Sequence, residues 1–406
     1  MIGLRTNTEP RAMKRALLAT MSLVAIIAMS ACGGGGGGGT GGGTGGGTGG
    51  TNGGGSTGGG PRQFLYVGNR SEGPTGTISV FEVLSGGALT PAFTPNTVDV
   101  AILPSGIAFS PDGQFAYVSH ANDVDPGVRQ FSVGSDGSLS PLTPASELVG
   151  GRAWDILAHP TRAAVYVPDA TNRRLYQFAI TAGGTLTPLS PEFLAIGDDP
   201  RTLAVSADGD TLYLTHHING EVWQFSVAVD GTLSPHPSGQ VVDADPGAWG
   251  IAVSRDGAYA YVACGESKTI RQYSIGTGGG LVPLAPVRIT TGQMTRAAAV
   301  STDGGYFYTA DYDGEVVEGS PETKYFIYQY SIGAGGNLAE LSPLKVETGE
   351  LPLPVFVLDG TDVAYVASQG LATIRQYQVG TNGQMSFVTA YLTGIGPASF
   401  ATVSKP

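Results

Sequence analysis

From residue 62 onward the chain alternates short apolar runs with turns rich in Gly, Pro and Asp, and no segment sustains the 3.6-residue apolar period of a helix. One run recurs seven times: FLYVGN (64–69), FAYVSH (115–120), VYVPD (165–169), LYLTH (212–216), YAYVAC (259–264), YFYTAD (306–311) and VAYVAS (363–368). Its central tyrosines are Tyr66, Tyr117, Tyr166, Tyr213, Tyr261, Tyr308 and Tyr365, spaced by 47 to 57 residues. Four of the runs follow a tight turn: SPDG (110–113), SADG (206–209), SRDG (254–257) and STDG (301–304). Asp-Gly between two β-rich runs predicts a hairpin, because Gly accepts the positive φ that a twisted hairpin demands.

A third strand follows each tyrosine run: ISVFEV (78–83), VRQFSV (128–133), LYQFAI (175–180), VWQFSV (222–227), IRQYSI (270–275), FIYQYSI (326–332) and IRQYQV (374–379). A glycine turn then leads through segments such as GSLSPL (137–142) and GTLTPL (184–189) to a fourth. Four short strands repeated seven times predict an all-β fold, a seven-bladed β-propeller of four-stranded blades. The final residues, ASFATVSKP (398–406), match a first strand such as SGIAFSPD (105–112), while the first repeat begins at its second strand. The C-terminal strand is therefore expected to complete blade one and close the ring, which removes exposed sheet edges.

Upstream of this lies different material. Lys14 and Arg15 precede an apolar run from Ala16 to Ala31 that is short for a membrane span and ends in Met29-Ser30-Ala31-Cys32. That pattern resembles a lipoprotein signal peptide with Cys32 as the lipidated residue, so residues 1–32 are expected to be a leader. Residues 33–60 contain only Gly, Thr, Ser and Asn. With nothing to bury, they are expected to form a flexible tether, leaving residues 61–406 as the propeller. The reading places the protein in a bacterial cell envelope, held to the membrane only through Cys32. Gly33 in place of aspartate favours the outer membrane by analogy.

The full chain carries a net charge of −12, and removal of the leader makes it more acidic. A nucleic acid partner needs a basic footprint and is not expected. Only Cys264 remains besides Cys32, so the propeller has no internal disulfide to rely on. No Gly-x-Ser-x-Gly elbow and no cysteine-based metal motif occurs in the globular part; neither a cofactor nor a metal is expected, and the propeller is expected to be a monomer. The insertion 311–324, with Asp311, Asp313, Glu315, Glu318 and Glu322, reads as a solvated acidic loop, because its spacing fails an EF-hand.

Propeller geometry places the start of every first strand and the end of every second strand on one face, around the mouth of the central channel. Aligning the repeats gives Ser105, Trp154, Arg201, Trp249, Arg296 and Ala398 for the first ring, with blade seven ambiguous near Pro354. The second ring is Asn69, His120, Asp169, His216, Cys264, Asp311 and Ser368. Two of the three tryptophans share one ring position and alternate there with two arginines. Indole faces beside guanidinium groups suit a small anionic or sugar-like ligand, with His120 and His216 as further candidates. The alternative is that Trp154 and Trp249 plug the channel while the arginines pair with Asp155, Asp198 or Asp199. A protein could take the ligand's place on that face, and a further reading is a non-catalytic scaffold that binds protein partners through its flat faces and has no small-molecule site.

The SPDG turns, YV strands, QFSV strands and GxLxPL turns over residues 62–406 resemble the seven-bladed lactonase family, which includes bacterial 6-phosphogluconolactonase and fungal carboxymuconate cyclase. The resemblance implies a site at the channel mouth, made of two histidines, a glutamate and two arginines. Position by position, the arginines fall on Arg201, in DPRTLAVS, and Arg296, in MTRAAAVS. The first histidine falls on Trp154, in GRAWDILAHP, the second on Thr202, and the glutamate on His217. The anion-gripping half is thus retained and the acid–base half replaced. If the protein is a lactonase, His217 and Asp155 are the candidates for the base, beside Arg201 and Arg296. Binding is expected ahead of catalysis.

Overall fold

The computed structural model describes residues 61–70, 75–100, 103–122, 126–291, 293–317, 320 and 322–405. The expected leader with Cys32, the tether 33–60 and Glu318 of the acidic insertion lie outside the described residues. The described chain forms seven antiparallel sheets, one per blade, arranged in a ring. Blade four shows the plan: Pro200–Val205 is innermost, followed outward by Thr211–His216, Glu221–Val227 and a broken outer strand, Leu233–Pro235 with Val241–Asp243.

The middle strands are buried on both faces because each blade is sandwiched between two others. Thr211–His216 is buried at all six positions, as are the corresponding strands Ala164–Asp169 and Val363–Ser368. The recurring tyrosines explain the period at atomic level. Each reaches across to the next blade and donates its hydroxyl hydrogen to a glycine carbonyl in an outer turn: Tyr66 to Gly137 (2.7 Å), Tyr117 to Gly184 (2.7 Å), Tyr166 to Gly231 (2.7 Å), Tyr213 to Gly279 (2.6 Å), Tyr261 to Gly336 (2.7 Å) and Tyr308 to Gly383 (2.7 Å). Tyr365 of blade seven completes the circle on Gly87 of blade one (2.5 Å). A phenol in an apolar interface needs such a partner, so tyrosine serves here where phenylalanine would leave a buried carbonyl unpaired. Gly184 is required twice over: its φ is +83°, and a Cβ there would lie 2.1 Å from the Phe115 ring.

The glutamines of the third strands add a parallel set of bonds. Gln177 Oε1 accepts from the backbone N–H of Leu233 (2.7 Å), and Gln224 Oε1 from that of Leu281 (2.7 Å). The ring closes as expected. Pro397–Lys405 pairs antiparallel with Arg62–Asn69 as the inner strand of blade one, and Lys405 Nζ donates to the carbonyls of Gly113 (2.5 Å) and Val133 (3.1 Å) in blade two.

Two details were not anticipated. In the acidic insertion Glu315–Val316 pairs antiparallel with Lys324 and Thr323, and Glu315 is held by Lys345 at 2.7 Å. Most inner strands also carry a β-bulge at their mouth end, as between Pro200 and Leu203, Ala248 and Ile251, and Pro352 and Val355. In blades three and six the pairing there is reduced to the isolated bridges Ala153–Asp169 and Thr295–Asp311. A bulge adds an unpaired residue and re-aims its side chain. This disruption is what frees the ring residues from the regular ladder.

Candidate functional site

Trp154, Arg201, Trp249 and Arg296 come together at the mouth ends of four consecutive blades, at a bulge in blades four and five and beside an isolated bridge in blades three and six. The guanidinium carbon of Arg201 lies 5.2 Å from the Trp154 ring centre and 4.5 Å from that of Trp249. Arg296 covers Trp249 at 4.1 Å. Two residues absent from the first-strand reading extend the series. Arg70 stands 5.6 Å from Trp154, and Tyr312 stands 3.8 Å from Arg296. The mouth therefore holds an alternating ladder: Arg70, Trp154, Arg201, Trp249, Arg296, Tyr312. Arg70 and Tyr312 follow Asn69 and Asp311 directly, so they occupy the position that His217 holds in blade four. Reading the repeats one residue further would have exposed them.

Blade seven resolves onto Leu353 rather than Pro354, because Pro352 pairs with Ser368 as Pro200 pairs with His216. Leu353 is buried with Trp249, Tyr312 and Ala398 in one apolar cluster that backs the ladder.

The ladder is largely enclosed, with Trp154, Arg201 and Arg296 each 7% exposed. Each cation lies against the electron-rich face of a ring, which offsets part of the cost of its burial. Burial still pushes the guanidinium groups of Arg201 and Arg70 down to about 10 and lowers that of Arg296. Asp199 is the carboxylate that meets Arg201 directly. Burial alone would raise the Asp199 carboxyl, but the neighbouring His217 ring and the charge of Arg201 hold it below its ordinary value. Nε and Nη1 of Arg201 and Nε of Arg296 are buried with no hydrogen-bond partner.

His217 sits beside this ladder. Its Nδ1 is 3.2 Å from Asp199, its Nε2 is 3.5 Å from Glu266, and its ring meets Trp249 edge-on at 4.7 Å. His216 points elsewhere, as adjacent strand residues must. It is fully buried against Trp223, 5.1 Å between ring centres, and burial lowers its pKa to about 4, so it is neutral at pH 7. His120 is likewise buried, at 1% exposure. His217 is thus the histidine whose ring meets the ladder, at Trp249.

The three acids named as pairing candidates divide. Asp199 holds Arg201, Asp198 pairs with Arg173, and Asp155 pairs with neither. Asp155 Oδ1 accepts from the backbone N–H of Ile156 (2.6 Å), and Oδ2 from that of Leu203 in blade four (2.7 Å). Its carboxyl is buried, which raises its pKa well above the carboxylate range. Asp155 therefore ties two inner strands together. Thr202, at the position of the second family histidine, is fully buried, and its backbone N–H is bonded to Thr215 Oγ1 (3.0 Å). The Cys264 thiol is fully buried and pushed up to about 12, so it is no nucleophile at neutral pH.

Asp169 and Asp311 both cap turns. Asp169 Oδ1 accepts from the N–H groups of Thr171 (2.9 Å) and Asn172 (3.0 Å), and Asp311 Oδ1 from those of Asp313 (3.2 Å) and Gly314 (3.1 Å). Burial raises the Asp311 carboxyl to about 7. Between pH 4 and 7 the unfolded chain holds fewer protons at this residue than the folded one, so its contribution to stability falls as pH rises through that window. Asp311→Asn keeps the cap and removes the charge. The variant is expected to be more stable than the parent at pH 8 and equal to it near pH 4, in denaturant melts at both values. Equal stability at pH 8 would show that the charge is accommodated without cost.

Similarity to known proteins agrees with this architecture. Residues 152–320 match the family described as Lactonase, 7-bladed beta-propeller. No curated protein matches the chain by sequence. Among solved structures, a candidate 6-phosphogluconolactonase from Bacteroides fragilis superposes with a TM-score of 0.71 at 16% identity, covering 84% of this chain and 98% of that one. The periplasmic gluconolactonase of Pseudomonas aeruginosa gives a TM-score of 0.68 at 17% identity, covering 85% of this chain and 100% of that one. Identities this low speak for the fold and leave the chemistry to the site residues. With seven blades closed by the C-terminal strand, the chain is a seven-bladed β-propeller, and its residues 152–320, which include Trp154, Arg201, Trp249 and Arg296, match the lactonase family.

Proposed function

We propose that this propeller binds a small organic anion at the channel mouth, with Arg201 and Arg296 as the principal contacts and Trp154 and Trp249 as the surfaces against which the ligand lies. The observation that carries this reading is the charge balance of the ladder. Three buried guanidinium groups alternate with aromatic rings, and among the described residues Asp199 is the carboxylate paired with the set. An unpaired buried N–H is unfavourable by about 1–3 kcal/mol, and a carboxylate or phosphate oxygen would satisfy those of Arg201. Enclosure of the rings suits the plug reading as well. The two are compatible, since a plug built from cations is also an anion receptor. On this proposal the protein works in the cell envelope, tethered through Cys32.

A second reading, lactone hydrolysis, is favoured by one specific observation. His217 is held between Asp199 and Glu266 beside Arg201, and an imidazole oriented by a carboxylate can take a proton from water while a guanidinium stabilises the developing oxyanion.

Titration calorimetry on the purified full chain separates these readings. Gluconate and hexanoate are expected to bind, and Arg201→Met is expected to weaken both by about tenfold or more, the loss of one charge-assisted contact. Absence of heat from either anion would remove the binding reading. In parallel, hydrolysis of gluconolactone that His217→Gln abolishes would establish the second reading, and no turnover above the spontaneous rate would dismiss it.

A further inference from the structure

The outer strand of each blade is a sheet edge, and six of the seven blades protect theirs. In blades two, three, five and six the outer strand leaves its ladder over residues 142–145, 189–192, 284–287 and 341–344, around Pro144, Pro191, Pro286 and Pro343. In blades one and four it is split in two, Leu89–Pro91 with Thr97–Val100 and Leu233–Pro235 with Val241–Asp243. Each of these six edges also carries a charged side chain: Asp99, Glu147, Glu192, Asp243, Arg288 and Lys345 in turn. Proline withholds an N–H and a charge resists being laid against another strand, so both discourage edge-to-edge pairing.

Blade seven has neither device. Its outer strand, Met385–Leu392, pairs with Thr373–Val379 along its whole length and skips only Val388. MSFVTAYL contains no proline, and the chain holds no charged residue and no histidine from Gln376 to Ser404. Where the other blades break, Gln376 stays in the ladder opposite Thr389, and its Oε1 accepts from the Tyr391 hydroxyl at 2.7 Å. The exposed surface of the strand is apolar, with Phe387, Val388 and Leu392 exposed by 51, 50 and 81%. Leu392 pairs with Thr373, so Leu371 and Ile395, both exposed, stand at the same end of the edge. Phe387 is held by the Arg375 guanidinium at 5.3 Å and by Tyr377 edge-on at 5.9 Å, which fixes its position while half of it meets solvent.

We infer that this edge pairs with the same edge of a second copy, so that the two seventh blades form one continuous sheet across a twofold axis. Charge and self-complementarity select the partner. At a net charge of −12 two copies repel each other in general, and the uncharged outer strand of blade seven is where they meet without opposed like charges. Antiparallel pairing about an axis between Val388 and Thr389 sets Met385 against Leu392, Ser386 against Tyr391, Phe387 against Ala390 and Val388 against Thr389. The bulky Phe387 ring then faces a methyl group. Main-chain hydrogen bonds run along the pair, and Phe387 and Val388 supply the apolar contact. A charged peptide finds no counter-charge on the strand itself. The dimer replaces the monomer expected from the repeats, and it is independent of what the channel mouth binds.

Sedimentation equilibrium on the purified full chain tests this. The parent is expected to rise from the monomer mass to twice that mass with increasing concentration. Val388→Lys and Val388→Glu are each expected to stay monomeric, because the axis brings two like charges together, and an equimolar mixture of the two is expected to recover the dimer. Val282→Lys, at a valine 53% exposed on the outer strand of blade five, is expected to leave the dimer unchanged. Near-ultraviolet circular dichroism matching the parent shows that the variants are folded. A parent that stays monomeric up to about 100 μM, already a weak association, overturns the inference. If that monomer binds a synthetic peptide of residues 385–392, the edge belongs to an extended segment of another protein and the dimer is excluded. A dimer that both Val388 variants leave intact is held by another surface, and one lost in both but not restored by their mixture is not held across this axis. Either result overturns the inference as well.

Discussion

Truncation after Gly396, which removes the inner strand of blade one, is expected to abolish cooperative unfolding altogether. Phe400, Ala401 and Val403 on that strand are buried in the cores on both sides of blade one. Burial of each large apolar side chain is worth about 1.5–3 kcal/mol, and total stability is about 5–15 kcal/mol. Truncation also strips the hydrogen-bond partners from Gln63–Gly68 and cuts the Lys405 bonds to Gly113 and Val133 in blade two. Phe64, Leu65, Tyr66 and Val67, all fully buried in the closed ring, would then flank an open sheet edge. Near-ultraviolet circular dichroism during a thermal ramp should show no sigmoidal transition for the truncated chain. Addition of the missing strand as a peptide should restore one in part. A truncated chain that melts sharply within a few degrees of the parent would mean that the blades hold one another without closure.

The second large effect concerns Asp199. Its carboxylate is the direct counter-charge of Arg201, whose side chain is only 9% exposed. Asp199→Ala leaves that guanidinium buried between two indoles with Arg296 repelling it, and breaking such a pair costs about 3–5 kcal/mol. Arg201→Met in the same molecule should recover most of the loss, since an apolar chain of similar length fits between the rings. The measurement is a double-mutant cycle by denaturant unfolding. If the single and double variants are equally destabilised, the damage lies in the backbone around Asp199 and not in an orphaned charge. The pH dependence adds a check. Because the folded Asp199 carboxyl lies below its ordinary value, its contribution is present above the unfolded pKa and is lost as pH falls through the folded one. Asp199→Ala should lack that part of the acid limb. The sign is opposite to that at Asp311, where the carboxyl is raised.

How much of this was readable from the repeats depends on how local the cause is. The tyrosine runs, Asp-Gly turns and QFSV strands are local patterns, and each appears in the structure as a strand or turn at the place read for it. Even the closing strand was visible, as a seventh first-strand pattern at the wrong end of the chain. Ring positions in blades three to six were also legible, because Trp154, Arg201, Trp249 and Arg296 fall at one place in the repeat. Blade seven was not, since LPLPVF offers two registers and only the pairing of Pro352 with Ser368 selects Leu353.

Arg70 and Tyr312 were missed for a different reason. They sit one residue past the second strand, in segments whose sequences share nothing, and their common role arises only when the blades are curled around one axis. Asp155 illustrates the converse. In the sequence it is an acid beside a tryptophan in the candidate site, while in the fold both of its oxygens are taken by backbone N–H groups. Periodicity of apolar and turn residues is a short-range property, and it was enough for seven blades, their closure and the face on which chemistry is to be sought. Which cations face which rings, and which acids are left to compensate them, depends on contacts between blades up to hundreds of residues apart, and only the closed ring decides that.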